Sequence, residues 1–140
     1  MKKRTKIRVI NFVIALLVFG AGYVYFDVGY VPLELYEMQN MEPGQKEAYY
    51  VEKWCSASFG RREYVLLDKT RVDCYTKDYA IEFDFAHKWA ESIGQSLYYS
   101  KMTNKKPAVA IILNSPDDLK YVKRIEKTKQ DIKIFLIKAY

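Results

Sequence analysis

An α/β fold is predicted: a mixed central sheet flanked by helices, elements in the order αβββαβαβ, preceded by one N-terminal transmembrane helix. Three features predict it. Short strand-type segments follow one another between residues 63 and 85, and helix-type and apolar strand-type segments then alternate to the C-terminus. Ahead of them stands an uncharged run of eighteen residues behind a basic cluster. The chain has 140 residues, 50% hydrophobic and 29% charged, with six Gly and four Pro. That is too apolar and too poor in breakers for a disordered or fibrous protein, so one compact domain is expected beyond the leader.

The leader comes first. Lys2, Lys3, Arg4, Lys6 and Arg8 precede residues 9–26, VINFVIALLVFGAGYVYF. A helix of roughly 17 to 25 apolar residues spans the hydrocarbon, and basic residues before it with Asp27 after it orient the N-terminus inward. The expectation is a single-pass protein of the cytoplasmic membrane with its domain outside the cytoplasm, in the periplasm. Gly20, Ala21 and Gly22 leave a cleavable signal peptide as the alternative. The formal charge of +6 belongs mostly to this leader, because residues 9–140 carry 18 basic and 17 acidic side chains, a balance of +1. A strongly cationic protein that wraps nucleic acid is disfavoured.

Residues 27–43 contain Pro32 and Pro43 without a clear period and read as a linker or a strap on the domain, which spans 44–140. A helix over 44–59 follows from Ala48, Val51, Cys55 and Phe59 at spacings of three and four, with Gly60 as its stop. Strands are expected at 63–67, 71–74 and 79–85, the first two joined tightly by Asp68, Lys69 and Thr70. Residues 88–102 form the most periodic helix, closed by Thr103 and Asn104 before Pro107. Residues 109–113 are apolar throughout, as a strand buried on both faces requires. Asn114, Ser115 and Pro116 open a helix over 117–129, and 132–137 is the last strand.

Cys55 and Cys74 lie in the part expected outside the cytoplasm. An oxidising compartment permits a disulfide between them, worth about 3 kcal/mol through the unfolded chain; two buried thiols are the alternative. Zinc is not expected, since His87 is the only histidine and no C-x-x-C occurs. No nucleotide cofactor is expected either.

Alternation over 79–85 sends Tyr79, Ile81, Phe83 and Phe85 to one face and Ala80, Glu82 and Asp84 to the other. On the preceding strand Arg71 and Asp73 share one face, Val72 and Cys74 the opposite one. The register that joins apolar residues brings Asp73 beside Glu82 and Asp84. Three acids this close repel unless a cation sits among them, and hard oxygen ligands suit Mg²⁺, Mn²⁺ or Ca²⁺. On the next helix Lys88, Glu91, Ser92, Gln95, Tyr99 and Met102 make a polar stripe, leaving Ala86, Trp89, Ala90, Ile93 and Leu97 for the core. Together these groups suit phosphoryl transfer, with Gln95 and Tyr99 holding a phosphodiester. Separately, each is what a solvated strand or helix surface presents.

The motifs RVDC, AIEFDF and GQSLYY, in this order of elements, resemble the PD-(D/E)XK nuclease-like superfamily and its RecB-type branch with a Q-x-x-x-Y helix motif. The stretch RVDCYTKDYAIEFDFAHKWAESIGQSLYY also resembles that of small exported bacterial proteins. The likeness covers roughly residues 44–137. It implies a restriction-endonuclease-like fold, with Mg²⁺ or Mn²⁺ bound by Asp73 and Glu82; the strand alternation, not the resemblance, adds Asp84 as a candidate third ligand. Gln95 and Tyr99 match the helix motif, and Glu47 or Glu52 matches the acid of the first helix. Asp84 stands where the family places a lysine, and Lys88 is positioned to replace it.

The expected activity is therefore metal-dependent phosphodiester hydrolysis of nucleic acid by a membrane-anchored protein. Two other readings stay open: an inactive nuclease-fold binding or scaffold module, and a subunit of an envelope complex that contacts its protein partner through anchor and strap. Lys120, Lys123, Arg124 and Lys127 form an i, i+3, i+4, i+7 stripe that offers phosphate contacts or a solvated face. That stripe has no aromatic platform for single strands.

Overall fold

The computed structural model describes residues 36–140. The anchor or signal peptide and the first part of the strap lie outside the described residues. Among the described residues no helix is long and apolar enough to cross a membrane.

The chain forms β1 (Glu37–Asn40), α1 (Glu47–Ala57), β2 (Arg61–Val65), β3 (Arg71–Tyr75) and β4 (Tyr79–Phe85). A 3₁₀ turn, Ala86–Lys88, leads into α2 (Trp89–Thr103), followed by β5 (Lys106–Leu113). A second 3₁₀ turn, Pro116–Asp118, precedes α3 (Leu119–Lys127), and β6 (Lys133–Lys138) completes an α/β fold with six strands and three helices. The strands lie in the order β1-β6-β5-β4-β3-β2. β2, β3 and β4 form an antiparallel meander, while β4, β5, β6 and β1 run parallel.

Strand β1 departs from the expected order. Its sequence, EMQN, lies within the stretch read as strap and has no apolar alternation. Parallel pairing with β6, from Glu37 opposite Phe135 to Asn40 opposite Lys138, holds it through the backbone, and Met38 with Tyr36 just before it packs on the core layer that contains Leu136. Lys133 Nζ adds a 2.8 Å ion pair to Glu37.

Helix α1 covers one face, packing Tyr50, Val51 and Trp54 on Ile81, Phe83, Ala110, Ile112 and Phe135. Helices α2 and α3 cover the other, where Val122 and Ile125 meet Val109, Ile111, Leu113 and Leu136. β5 is sandwiched between these layers, which explains its unbroken apolar run. A disulfide joins Cys55 of α1 to Cys74 of β3, with Cα atoms 5.7 Å apart. The free-thiol alternative falls, and the bond points to an oxidising compartment outside the cytoplasm for this domain.

Helix α2 presents a different face from the one its apolar period predicts. Ser92, Ser96 and Tyr99 are buried, whereas Ala90 and Leu97 are exposed. Ser92 Oγ donates to Trp89 O at 2.9 Å and Ser96 Oγ to Ile93 O at 3.0 Å, so both hydroxyls are satisfied within the helix. They then behave as small residues that admit the helix to the sheet. The shift turns Gln95 and Tyr99 toward the acids of β4.

Candidate functional site

Alternation along β4 holds. Ile81 and Phe83 join the α1 layer, while Glu82 and Asp84 face the other way. Their parallel neighbours on β5 are Val109 and Ile111. Set among apolar residues, Glu82 is only 5% exposed and Asp84 3%. That excludes the solvated strand face, the bland alternative for two acids at alternate positions. Glu82 Oε2 and Asp84 Oδ1 are buried without a hydrogen-bond partner. Leaving such oxygens unmatched costs stability, so their retention needs a reason.

Asp73 reaches the same place through an irregularity. β3 pairs with β4 at Cys74–Ile81 and Tyr75–Ala80, and one further step in this register sets Asp73 opposite Glu82. There the alternation of β3 breaks. Cys74 packs in the α1 layer, but Val72 packs with Leu66, Ala80 and Tyr99. This corrects the expectation that Val72 and Cys74 share a face. Across the hairpin Glu63 takes φ 51°, a left-handed conformation that twists the strand pair at this level. Asp73 Oδ2 accepts from Phe83 N–H at 2.8 Å, standing in for a main-chain carbonyl.

Glu47, in the first turn of α1, lines the same cleft, while Glu52 sits at the surface 3.6 Å from Arg62. Of the two candidate acids on this helix, the site takes Glu47. Lys88 Nζ stands 3.1 Å from Asp84 Oδ1 as an ion pair, although that oxygen lacks any partner in hydrogen-bond geometry. Gln95 and Tyr99 line the far wall. The cleft encloses about 430 Å³, and the hairpin residues Glu63, Lys69, Thr70 and Arg71 complete its rim together with Glu91. The sequence places Arg71 on the face of Asp73 and Glu91 on the polar stripe of the helix, but it assigns no site role to Glu63, Lys69 or Thr70, whose turn it reads only as a connection.

The electrostatics follow from crowding. Burial, then the charges of Asp84 and Asp73, push the Glu47 carboxyl up to about 7. Burial also raises Asp73, against the pull of the Phe83 N–H. Glu82 is raised most, by burial and then by Asp73 and Asp84. Asp84 is raised by burial, with Lys88 opposing. In return Asp84 holds Lys88 above its usual value, so that ammonium stays charged. Burial and Glu82 raise Tyr99, which keeps its hydroxyl proton.

A carboxyl raised in the folded state binds more protons folded than unfolded. The stability it contributes is whole below its unfolded value and is lost as pH rises through its folded value. For Glu47 that window runs from 4.5 to about 7. The metal-free chain is expected to melt lower at pH 8 than at pH 5 in differential scanning fluorimetry. A melting temperature that rises across this interval would contradict the arrangement.

The donor set is of the kind a hard divalent cation takes: carboxylate oxygens, Glu82 Oε2 buried and unmatched, with no nitrogen or sulfur ligand among them. Among the described residues no three His, Cys, Asp or Glu side chains already form a ready cage. Binding would therefore draw Asp73 or Glu47 in toward Glu82 and Asp84.

The basic stripe lies elsewhere. Lys120, Lys123, Arg124 and Lys127 sit on α3 and none of them lines the cleft. Lys120 lies 5.0 Å from the Tyr121 ring and Arg124 5.1 Å from it, so their stems pack on aromatic surface. Neither a family model, nor a curated protein, nor a solved structure matches the chain.

Proposed function

We propose that this domain is a nuclease-like, metal-dependent phosphodiester hydrolase that acts on nucleic acid outside the cytoplasm, held to the membrane by its N-terminal leader. One observation carries the reading. Glu82 and Asp84 are buried, with Glu82 Oε2 unmatched, in a cleft that also gathers Glu47, Asp73, Gln95 and Tyr99. Support also comes from the order of elements. Asp73 lies on the strand before Glu82, and Gln95 and Tyr99 lie on the helix after it, as the resemblance to the PD-(D/E)XK superfamily and its restriction-endonuclease-like fold requires.

Asp73, Glu82 and Asp84 would hold Mg²⁺ or Mn²⁺, with Glu47 beside them. When bound, the ion supplies Lewis-acid charge at the phosphoryl oxygens. The remaining work falls to the chain. Lys88, kept protonated by Asp84, presents a fixed positive charge where negative charge develops on the phosphoryl group. The Gln95 amide and the Tyr99 hydroxyl donate neutral hydrogen bonds that orient the diester. Buried Val109 and Ile111 behind the acids keep water off that side.

The inactive binding module draws on a separate observation: Asp84 already pairs with Lys88, and no cage is assembled. Incubating the full chain with DNA and RNA in Mg²⁺, Mn²⁺ or EDTA separates the two. Cleavage that needs the cation and disappears in Asp73→Ala is the expected result. Cation binding without cleavage of either nucleic acid would select the binding module, and neither binding nor cleavage would end both readings.

A further inference from the structure

The rim of the cleft holds three cations, Lys69, Arg71 and Lys88. Arg71 pairs with Glu63 at 2.7 Å and Lys88 with Asp84 at 3.1 Å. Lys69 has no ionic partner among the described residues. Its backbone nevertheless is fixed. Lys69 takes φ 73° in a turn where Lys69 N–H donates to Leu66 O at 3.0 Å and Leu66 N–H to Thr70 O at 2.8 Å. Asp68 accepts from Thr70 N–H and Oγ1 at 3.0 and 2.7 Å, and the Tyr98 hydroxyl of α2 donates to the same carboxylate. A free ammonium is thus carried on a turn latched to the neighbouring helix.

Lys69 also lines a second groove of about 410 Å³ on the other side of the turn. Its walls are apolar and aromatic: Tyr64, Val65, Leu67, Tyr75 and Met102. Leu67 is 98% exposed, Val65 55% and Met102 44%, a run of open apolar side chains beside a charged cleft. Tyr64 and Tyr75 stack with centroids 4.3 Å apart. Arg61 caps the Tyr64 ring at 4.7 Å and Lys105 the Tyr75 ring at 5.1 Å. Among the described residues Lys69 is therefore the one cation that lines this apolar and aromatic groove, and it lines the acidic cleft as well.

We propose that this groove is a nucleotide subsite: it takes an unpaired base next to the phosphate held at the acidic cleft, with Lys69 gripping the phosphate between them, so that the substrate is single-stranded nucleic acid. The inference rests on the nuclease reading and narrows its substrate class. A duplex keeps its bases stacked inside and presents only phosphates to Leu67 and Met102, whereas a single strand offers a base face to them. Contact of such a face with the open Leu67 and Met102 side chains removes apolar surface from water, while Lys69 stands at the phosphate.

The test is fluorescence anisotropy on the full chain in detergent with EDTA, using a labelled fifteen-nucleotide oligothymidylate and a duplex of the same length. Glu82→Gln is run alongside the native chain, because it prevents turnover by any residual cation. Single-strand binding about tenfold tighter than duplex binding is expected, weakened about tenfold by Lys69→Ala and severalfold by Leu67→Ser. Both substituted side chains are exposed, so melting temperatures should hold. Equal affinity for both forms, or indifference to both substitutions, would overturn the subsite. So would a Leu67→Ser chain that changes sedimentation but not strand binding, which would make the groove a contact between copies. The two readings fail separately. Cleavage blind to strandedness and to Lys69→Ala removes the subsite alone. Lys69-dependent single-strand binding without cleavage in any cation upholds the subsite and removes the hydrolase.

Discussion

Glu82→Gln is expected to lower cation-dependent phosphodiester cleavage by a factor on the order of a thousand and, in the same chain without metal, to raise the melting temperature at pH 8. The two effects have one cause. Glu82 is 5% exposed, beside Asp73 and Asp84, and burial with those charges pushes its carboxyl far above the ordinary glutamate value. Folding then holds a proton that the unfolded chain releases above pH 4.5. Every further pH unit costs about 1.4 kcal/mol for each carboxyl so held. Glutamine is close to an isostere of the protonated acid and has no proton to release. Melting curves of Glu82→Gln and the native chain should coincide near pH 4 and separate steadily toward pH 8. Mn²⁺ should raise the melting temperature of the native chain at pH 8 and leave the variant flat. Parallel profiles for the two chains at all pH values would show that Glu82 is not held neutral by its neighbours.

The acids of β4 were legible because a strand has a period of two, and AIEFDF states which residues share a face. What the period does not state is whether a face is wet. That is decided by Val109 and Ile111 of β5 and by the seating of α2, which are contacts between distant segments. The same limit governs α2, where apolarity ranks Ala90 and Leu97 above Ser92 and Ser96, although a serine bonded to its own helix is the smaller buried group. Asp73 was placed with the acids correctly, yet alternation was the wrong reason. A twist at Glu63 and Asp73 moves Val72 to the other layer, and no pattern in RVDC announces it. β1 was invisible for a related cause: of its four residues only Met38, with Tyr36 just before it, packs on the core, too short an alternation to mark a strand. Lys69 was visible only as part of a turn. That it lines two hollows is a property of tertiary structure.

Replacing both Cys55 and Cys74 by Ala is expected to destabilise the chain by about 3 kcal/mol, roughly 10–20 °C in melting temperature, and to weaken cation binding beyond what the lost stability explains. The first part follows from the loop closed by the bond, a sequence separation of 19 residues. The second follows from position. Cys74 is covalently fixed to α1, its neighbour Asp73 is the acid that bridges to the Phe83 N–H, and Glu47 begins the helix that carries Cys55. One covalent bond therefore relates two of the cleft's carboxyls, which come from different elements. Gly60 belongs to the same device. A Cβ there would lie 2.5 Å from Cys74 Sγ and 2.6 Å from Cys55 Sγ, so Gly60→Ala should cost about 1–3 kcal/mol in the oxidised chain. Most of that penalty should vanish in the Cys55→Ala, Cys74→Ala background, a coupling that a double-mutant cycle measures. Ile125→Ala is the control for stability alone. It removes a buried side chain from the α3 layer, away from the cleft, at a comparable cost of about 2–5 kcal/mol. If the chain without the disulfide shows the same Mn²⁺-induced melting shift as Ile125→Ala, the bond supports the fold only. A shift reduced in the first and retained in the second assigns it the placement of Asp73 and Glu47.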